Sequence, residues 1–149
     1  MITDERGLAL TTTSDAAARA FDDVVRCYLE YRLRIGRAIK AMLAADPEFC
    51  MGRVLVGYLM MARGTPEGLA DAEAALAKAR ALAGDHLTER ERRHLAALGA
   101  WTEGHAETAC RRWEEILVGW PRDLLALRLA HFQSFWLGTH RRMRNVVVR

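Results

Sequence analysis

Two glycines, Gly104 and Gly138, stand 34 residues apart, and each ends one helical stripe and opens the next. A period of that length is one pair of helices, and several pairs must stack before a continuous core is buried. Pro121 falls 17 residues after Gly104 and closes the unit, while Ala109 and Trp113 supply the small and bulky positions of its second helix. In the preceding unit Gly57 lies seven residues before Gly64, marking the small residue where paired helices touch. Gly64 to Gly104 is 40 residues, which places an insertion in the 83–87 connection.

The rest of the chain agrees with helices. Apolar residues make up 51%, much of it Ala and Leu, and only three prolines interrupt. Ala and Leu lose little conformational freedom in a helix. Ser14 is an N-cap with Asp15 in the first turn, and Phe21, Val24, Val25, Tyr28 and Leu29 recur at helical spacing. Gly36 is expected to break the path before a second stripe of Ile35, Ile39, Met42 and Leu43, with Pro47 opening a third helix that runs to Ala62. Pro66 opens a fourth helix, and Thr88 with Glu91 forms a capping box for a fifth. A sixth stops before Pro121. A seventh, with two apolar stripes through Leu124, Leu127, His131, Phe135 and Leu125, Leu129, Phe132, Trp136, ends at Gly138, and an eighth begins near His140. No segment alternates with period two. The expected fold is all-α: a right-handed superhelix of seven to eight helices in one domain over 1–149. Its parts are an N-terminal extension (1–13), units 14–47, 48–87 and 88–121, and an incomplete unit 122–149.

Charge and cysteines narrow the class. Residues 1–75 carry 9 Lys/Arg against 11 Asp/Glu, and residues 76–149 carry 13 against 8. The basic half is interleaved with Glu, as solvated helix faces are. Cys27, Cys50 and Cys110 are odd in number and far apart, so neither a disulfide framework nor a zinc knuckle is expected, and reduced cytoplasmic thiols fit best. The first residues lack a secretory pattern, and the longest apolar run, 49–62, is too short for a bilayer.

The 34-residue period is that of the tetratricopeptide repeat. Longer strings are more specific: Leu10-Thr11-Thr12-Thr13-Ser14, Ala44-Ala45-Asp46-Pro47-Glu48-Phe49-Cys50-Met51-Gly52, and Leu87-Thr88-Glu89-Arg90-Glu91. Further on come Trp113-Glu114-Glu115-Ile116-Leu117, Pro121-Arg122-Asp123, Leu125-Ala126-Leu127-Arg128-Leu129-Ala130-His131, and Gly138 with Met143-Arg144. On these strings the chain resembles the N-terminal part of the tetratricopeptide-repeat protein 38 family, whose members are longer. The resemblance implies a helical-repeat fold and protein association, and supplies no catalytic residues.

Chemistry is otherwise sparse. His94, His105, His131 and His140, with Glu91, Glu103, Glu107 and Cys110, lack His-Glu-x-x-His or other metal-ligand spacing, and no phosphate loop or nucleophile elbow occurs. No cofactor, metal or catalytic residue is expected. If the first helix of each pair lines a groove, the groove-facing positions include Met51, Val54, Tyr58 and Met61, then Glu91, His94, Leu98 and Trp101, then Leu125, Arg128, Phe132 and Phe135. Aromatic residues, Met and Arg favour association. The expected function is therefore a non-catalytic interaction module or scaffold. Its partner is a peptide or protein segment held by Met51, Tyr58, Met61, His94, Leu98, Trp101, Arg128, Phe132 and Phe135, or a second copy docked on the incomplete C-terminal unit. A nucleic-acid module using Arg90, Arg93, Arg141, Arg142 and Arg144 is the alternative, and a small enzyme would need His94 and His131 to converge.

Overall fold

The computed structural model describes residues 1–138 and Arg144. Among them seven helices follow a short antiparallel hairpin of β1 (Ile2–Thr3) and β2 (Ala9–Leu10), in which Ile2 faces Leu10 and Thr3 faces Ala9. The helices are α1 (Asp15–Leu29), α2 (Ile35–Ala45), α3 (Cys50–Ala62), α4 (Pro66–Leu82), α5 (Glu89–Thr102), α6 (Ala106–Gly119) and α7 (Leu124–Trp136). The molecule is all-α apart from that hairpin. The eighth helix expected near His140 lies outside the described residues.

Local chemistry sets the helix ends. Ser14 Oγ accepts from the Ala17 N–H at 3.1 Å, and Thr65 Oγ1 from Gly68 at 3.0 Å just ahead of Pro66. The Thr88–Glu91 capping box closes both ways. Gly104 sits at φ +84°, and the His105 N–H reaches back to the Ala100 carbonyl at 2.9 Å, satisfying a carbonyl that the helix end leaves free. The same motif ends α1, but with a tyrosine in the glycine position. Tyr31 lies at φ +55° and the Arg32 N–H bonds the Cys27 carbonyl at 2.8 Å. The chain therefore breaks at residues 30–34 rather than at Gly36, which lies inside α2. Pro47 likewise falls in the turn ahead of α3, with Phe49 as the N-cap.

Consecutive helices pack in pairs, α1 on α2, α3 on α4 and α5 on α6, with α7 on α6. α5 packs on both α3 and α4. The close approach between α3 and α4 occurs at Gly68, where a β-carbon would lie 2.5 Å from the Met60 carbonyl oxygen. Gly57, expected to mark that approach, instead meets α5: a β-carbon there would lie 2.4 Å from Leu98 Cδ2. One continuous apolar core runs from Leu10 and α1 through to α7.

Residues 1–13 are part of that body. Leu8 and Leu10 are buried. Asp4 Oδ1 accepts from the Arg6 and Leu8 N–H groups at 2.9 Å each, shaping the hairpin turn. The Glu5 N–H donates to Asp22 on α1 at 3.0 Å, Thr12 Oγ1 donates to Asp46 at 2.5 Å, and the Thr11 N–H donates to Glu91 on α5 at 2.8 Å. What the sequence presents as an extension is a tie between α1, the α2–α3 turn and the start of α5.

Candidate functional site

Polar groups concentrate in two places, one sealed and one open. The sealed one is built on Asp123, the N-cap of α7, whose Oδ1 accepts from the Ala126 N–H at 2.9 Å. Its other oxygen accepts from Arg90 Nη1 at 2.8 Å and lies 2.9 Å from His94 Nε2. Arg90 Nη2 also donates to the Ala9 carbonyl at 3.0 Å. On the far side of the imidazole, His94 Nδ1 is 2.9 Å from the Tyr58 hydroxyl, which donates to the His94 carbonyl at 2.8 Å and accepts from Trp113 Nε1 at 3.1 Å. Burial by itself would raise the Asp123 carboxyl. His94, Arg90 and the Ala126 N–H outweigh it and hold the group well below the usual carboxylate range. Burial pushes the Tyr58 phenol well above its ordinary value, so it remains an O–H.

A Tyr–His–Asp chain has the composition of a proton relay, but no substrate can reach this one. Tyr58, His94, Arg90, Asp123 and Trp113 are all buried. A cavity touching Arg90 and Asp123, lined also by Leu8, Phe21 and Val25, has a volume of about 10 Å³, room for at most one water. The network does structural work: it satisfies polar groups of α3, α5, α6 and α7 at the place where these helices meet.

This burial corrects the expected groove. Met51, Tyr58, His94, Leu98 and Trp101 are all buried. They lie where α3, α5 and α6 pack on one another: Leu98 fills the notch at Gly57, and Trp101 stands edge-on to Trp113 with ring centroids 5.3 Å apart. A helix sandwiched between neighbours has two inner faces, and the face read as open is one of them. Arg90 is also buried, so it is lost to any nucleic-acid surface. Arg93 is taken by Glu89 at 3.0 Å and by the Trp120 ring, Arg144 is exposed, and Arg141 and Arg142 lie outside the described residues. Both nitrogens of His94 are occupied, leaving none for a metal shared with His131.

The open place is α7. Met61, half-buried, belongs to α3 and is not part of this face, whereas Arg128 and Phe132 are half-buried on it and Phe135 is 60% exposed. Next to them Trp136 is 69% exposed and packs edge-on against both Phe132 and Phe135, at centroid distances of 6.2 and 5.8 Å. Arg128 lies one turn before Phe132 and reaches across to α1. Its guanidinium carbon is 5.8 Å from the Tyr28 ring centroid and 5.3 Å from that of Tyr31, and it donates to the Tyr31 hydroxyl. Tyr31 is 75% exposed. The result is a continuous strip of Tyr31, Arg128, Phe132, Phe135 and Trp136. Arg128, Phe132 and Phe135 are those expected from the repeat register. Tyr28, Tyr31 and Trp136 are not, since Tyr28 and Trp136 lie on stripes read as core and Tyr31 lies 97 residues from its contact.

No family model matches the chain, and no solved structure matches it. The geometry of the strip stands by itself.

Proposed function

We propose that the chain is a helical-repeat interaction module of the tetratricopeptide kind, resembling the N-terminal part of the tetratricopeptide-repeat protein 38 family, and that it binds a protein or peptide segment on the exposed strip of α7. The pairing of consecutive helices and the left-handed glycines at 64, 104 and 138 support the repeat reading. Arg128 ties α7 back to α1, so binding is assigned to the strip rather than to an inner wall.

One observation carries the functional reading: Phe135 and Trp136 are more than half exposed, side by side, two turns along α7 from a half-buried arginine. A contiguous exposed apolar patch of this kind marks an interaction site, and Trp, Tyr and Arg are the residues that dominate binding energy when a partner covers them. The test is a photo-crosslinking amino acid placed at Phe135 or, as a control, at the equally exposed Val118 on α6. Crosslinks to a discrete partner from Phe135 alone, lost when Trp136→Ala is added, are expected. Equal labelling from both positions would sink the proposal.

A further inference from the structure

We infer, resting on the interaction reading above, that Arg128 is the recognition point for a side-chain carboxylate on the bound segment, with Phe132, Phe135 and Trp136 holding the apolar residue beside it. A guanidinium offers five N–H donors in a rigid fork. Among the described residues Arg128 donates to the Tyr31 hydroxyl, and no carboxylate lies within ion-pairing distance. Its Nε is buried and has no hydrogen-bond partner. The Tyr28 hydroxyl lies buried beside it, close enough to the Arg128 guanidinium to interact with it. Burial raises the Tyr28 phenol, partly offset by the charge of the Arg128 guanidinium and by its hydrogen bond, so the group stays protonated. The Arg128 guanidinium therefore has N–H donors to spare beside an exposed aromatic face.

The neighbouring charges point to a carboxylate rather than to nucleic acid. Arg32 and Arg34, the nearest cations in sequence to Tyr31, are already neutralised by Glu30 at 3.0 Å and Asp23 at 2.7 Å. That leaves one uncompensated guanidinium in an aromatic setting, where a planar carboxylate can take two parallel N–H bonds. The two tyrosine rings fix the plane of the fork in advance, which lowers the cost of binding. Tyr31 holds its position in the left-handed region at φ +55°, the helix-ending place that a glycine usually takes.

The probe is a random peptide library selected on the full chain. Enriched peptides are expected to carry Asp or Glu next to an aromatic or large aliphatic residue. Replacing that acid by its amide in the best peptide should weaken binding about tenfold, as loss of a charged hydrogen bond does. Arg128→Gln should abolish the preference for acid over amide, Arg128→Lys should retain part of it, and Trp136→Ala should weaken both peptides by the same factor. Enrichment of apolar peptides without an acid, or an acid preference surviving Arg128→Gln, overturns the carboxylate assignment and leaves the interaction reading standing. A dimer dissolved by Trp136→Ala with no peptide enriched places a second copy on the face. That result overturns the carboxylate assignment alone, and a monomer that enriches nothing overturns both readings.

Discussion

The molecule contains two aromatic clusters, each beside a cationic side chain, and they have opposite fates. Tyr58, Trp101 and Trp113 stand edge-to-face or tilted at 5.3 to 6.3 Å and are buried. Phe132, Phe135 and Trp136 make the same kind of contacts at 5.8 and 6.2 Å and end in solvent. In the first cluster the Trp113 N–H, the Tyr58 hydroxyl and both nitrogens of His94 all have partners. Beside the second, Arg128 Nε has none. Composition and spacing do not separate the two. Burial does: the first cluster lies where α3, α5 and α6 meet, and the second lies along the exposed side of α7.

The largest effects are expected where the sealed cluster is broken. Asp123→Ala removes the N-cap of α7 and leaves Arg90 buried without its carboxylate. Breaking such a buried pair costs about 3–5 kcal/mol. Trp101→Ala opens a cavity against Tyr58 and Trp113 at a cost of about 3–5 kcal/mol. Urea denaturation reads both. A change under about 1 kcal/mol for either would show that the inner wall is not closed, and the open-groove reading of Trp101 would return.

A second contrast lies between two buried carboxylates. Asp123 has a folded-state pKa below its ordinary value, so its stabilisation is complete above about pH 4 and is lost as pH falls. Asp22, at the junction of the β-hairpin with α1, is raised from 3.8 to about 6, chiefly by burial and then by the neighbouring Asp4 charge. The sign is opposite. Its contribution is greatest below pH 3.8, where it is protonated in both states, and is lost as pH rises through 6. Asp22→Asn should therefore gain stability relative to the parent chain between pH 4 and 6 and hold that gain at neutral pH, as measured by unfolding free energies across the range. A flat difference would place Asp22 in open solvent.

Most helix ends were legible because caps are local. Ser14, Pro66, the Thr88–Glu91 box and the glycines at 64, 104 and 138 act within one turn of themselves. The repeat register also brought Arg128, Phe132 and Phe135 to one strip. What escaped the sequence was long-range. The bonds from Thr11 to Glu91 and from Arg90 to Ala9 span 80 and 81 residues, and no spacing rule announces them. Asp123 reads as an ordinary cap until Arg90 and His94 converge on it. The break at Tyr31 was misplaced to Gly36 because a glycine is the usual left-handed terminator, and only the contact of Tyr31 with Arg128 gives a tyrosine reason to be there.

The smallest stability effects should come from the open strip, and they sharpen the comparison most. Trp136 loses only its edge contacts when cut back, so Trp136→Ala should cost under about 1 kcal/mol, against the several expected for Trp101→Ala. Tyr31→Gly should change stability by less than about 1 kcal/mol, because relief of the left-handed backbone offsets the lost ring contact and the looser unfolded chain. Both should nonetheless abolish partner capture in the crosslinking assay. A residue held in a strained conformation, exposed, and dispensable for folding is held there by something other than folding. If Tyr31→Gly unfolds the chain instead, the clasp between α1 and α7 is part of the core, and the strip is only its edge.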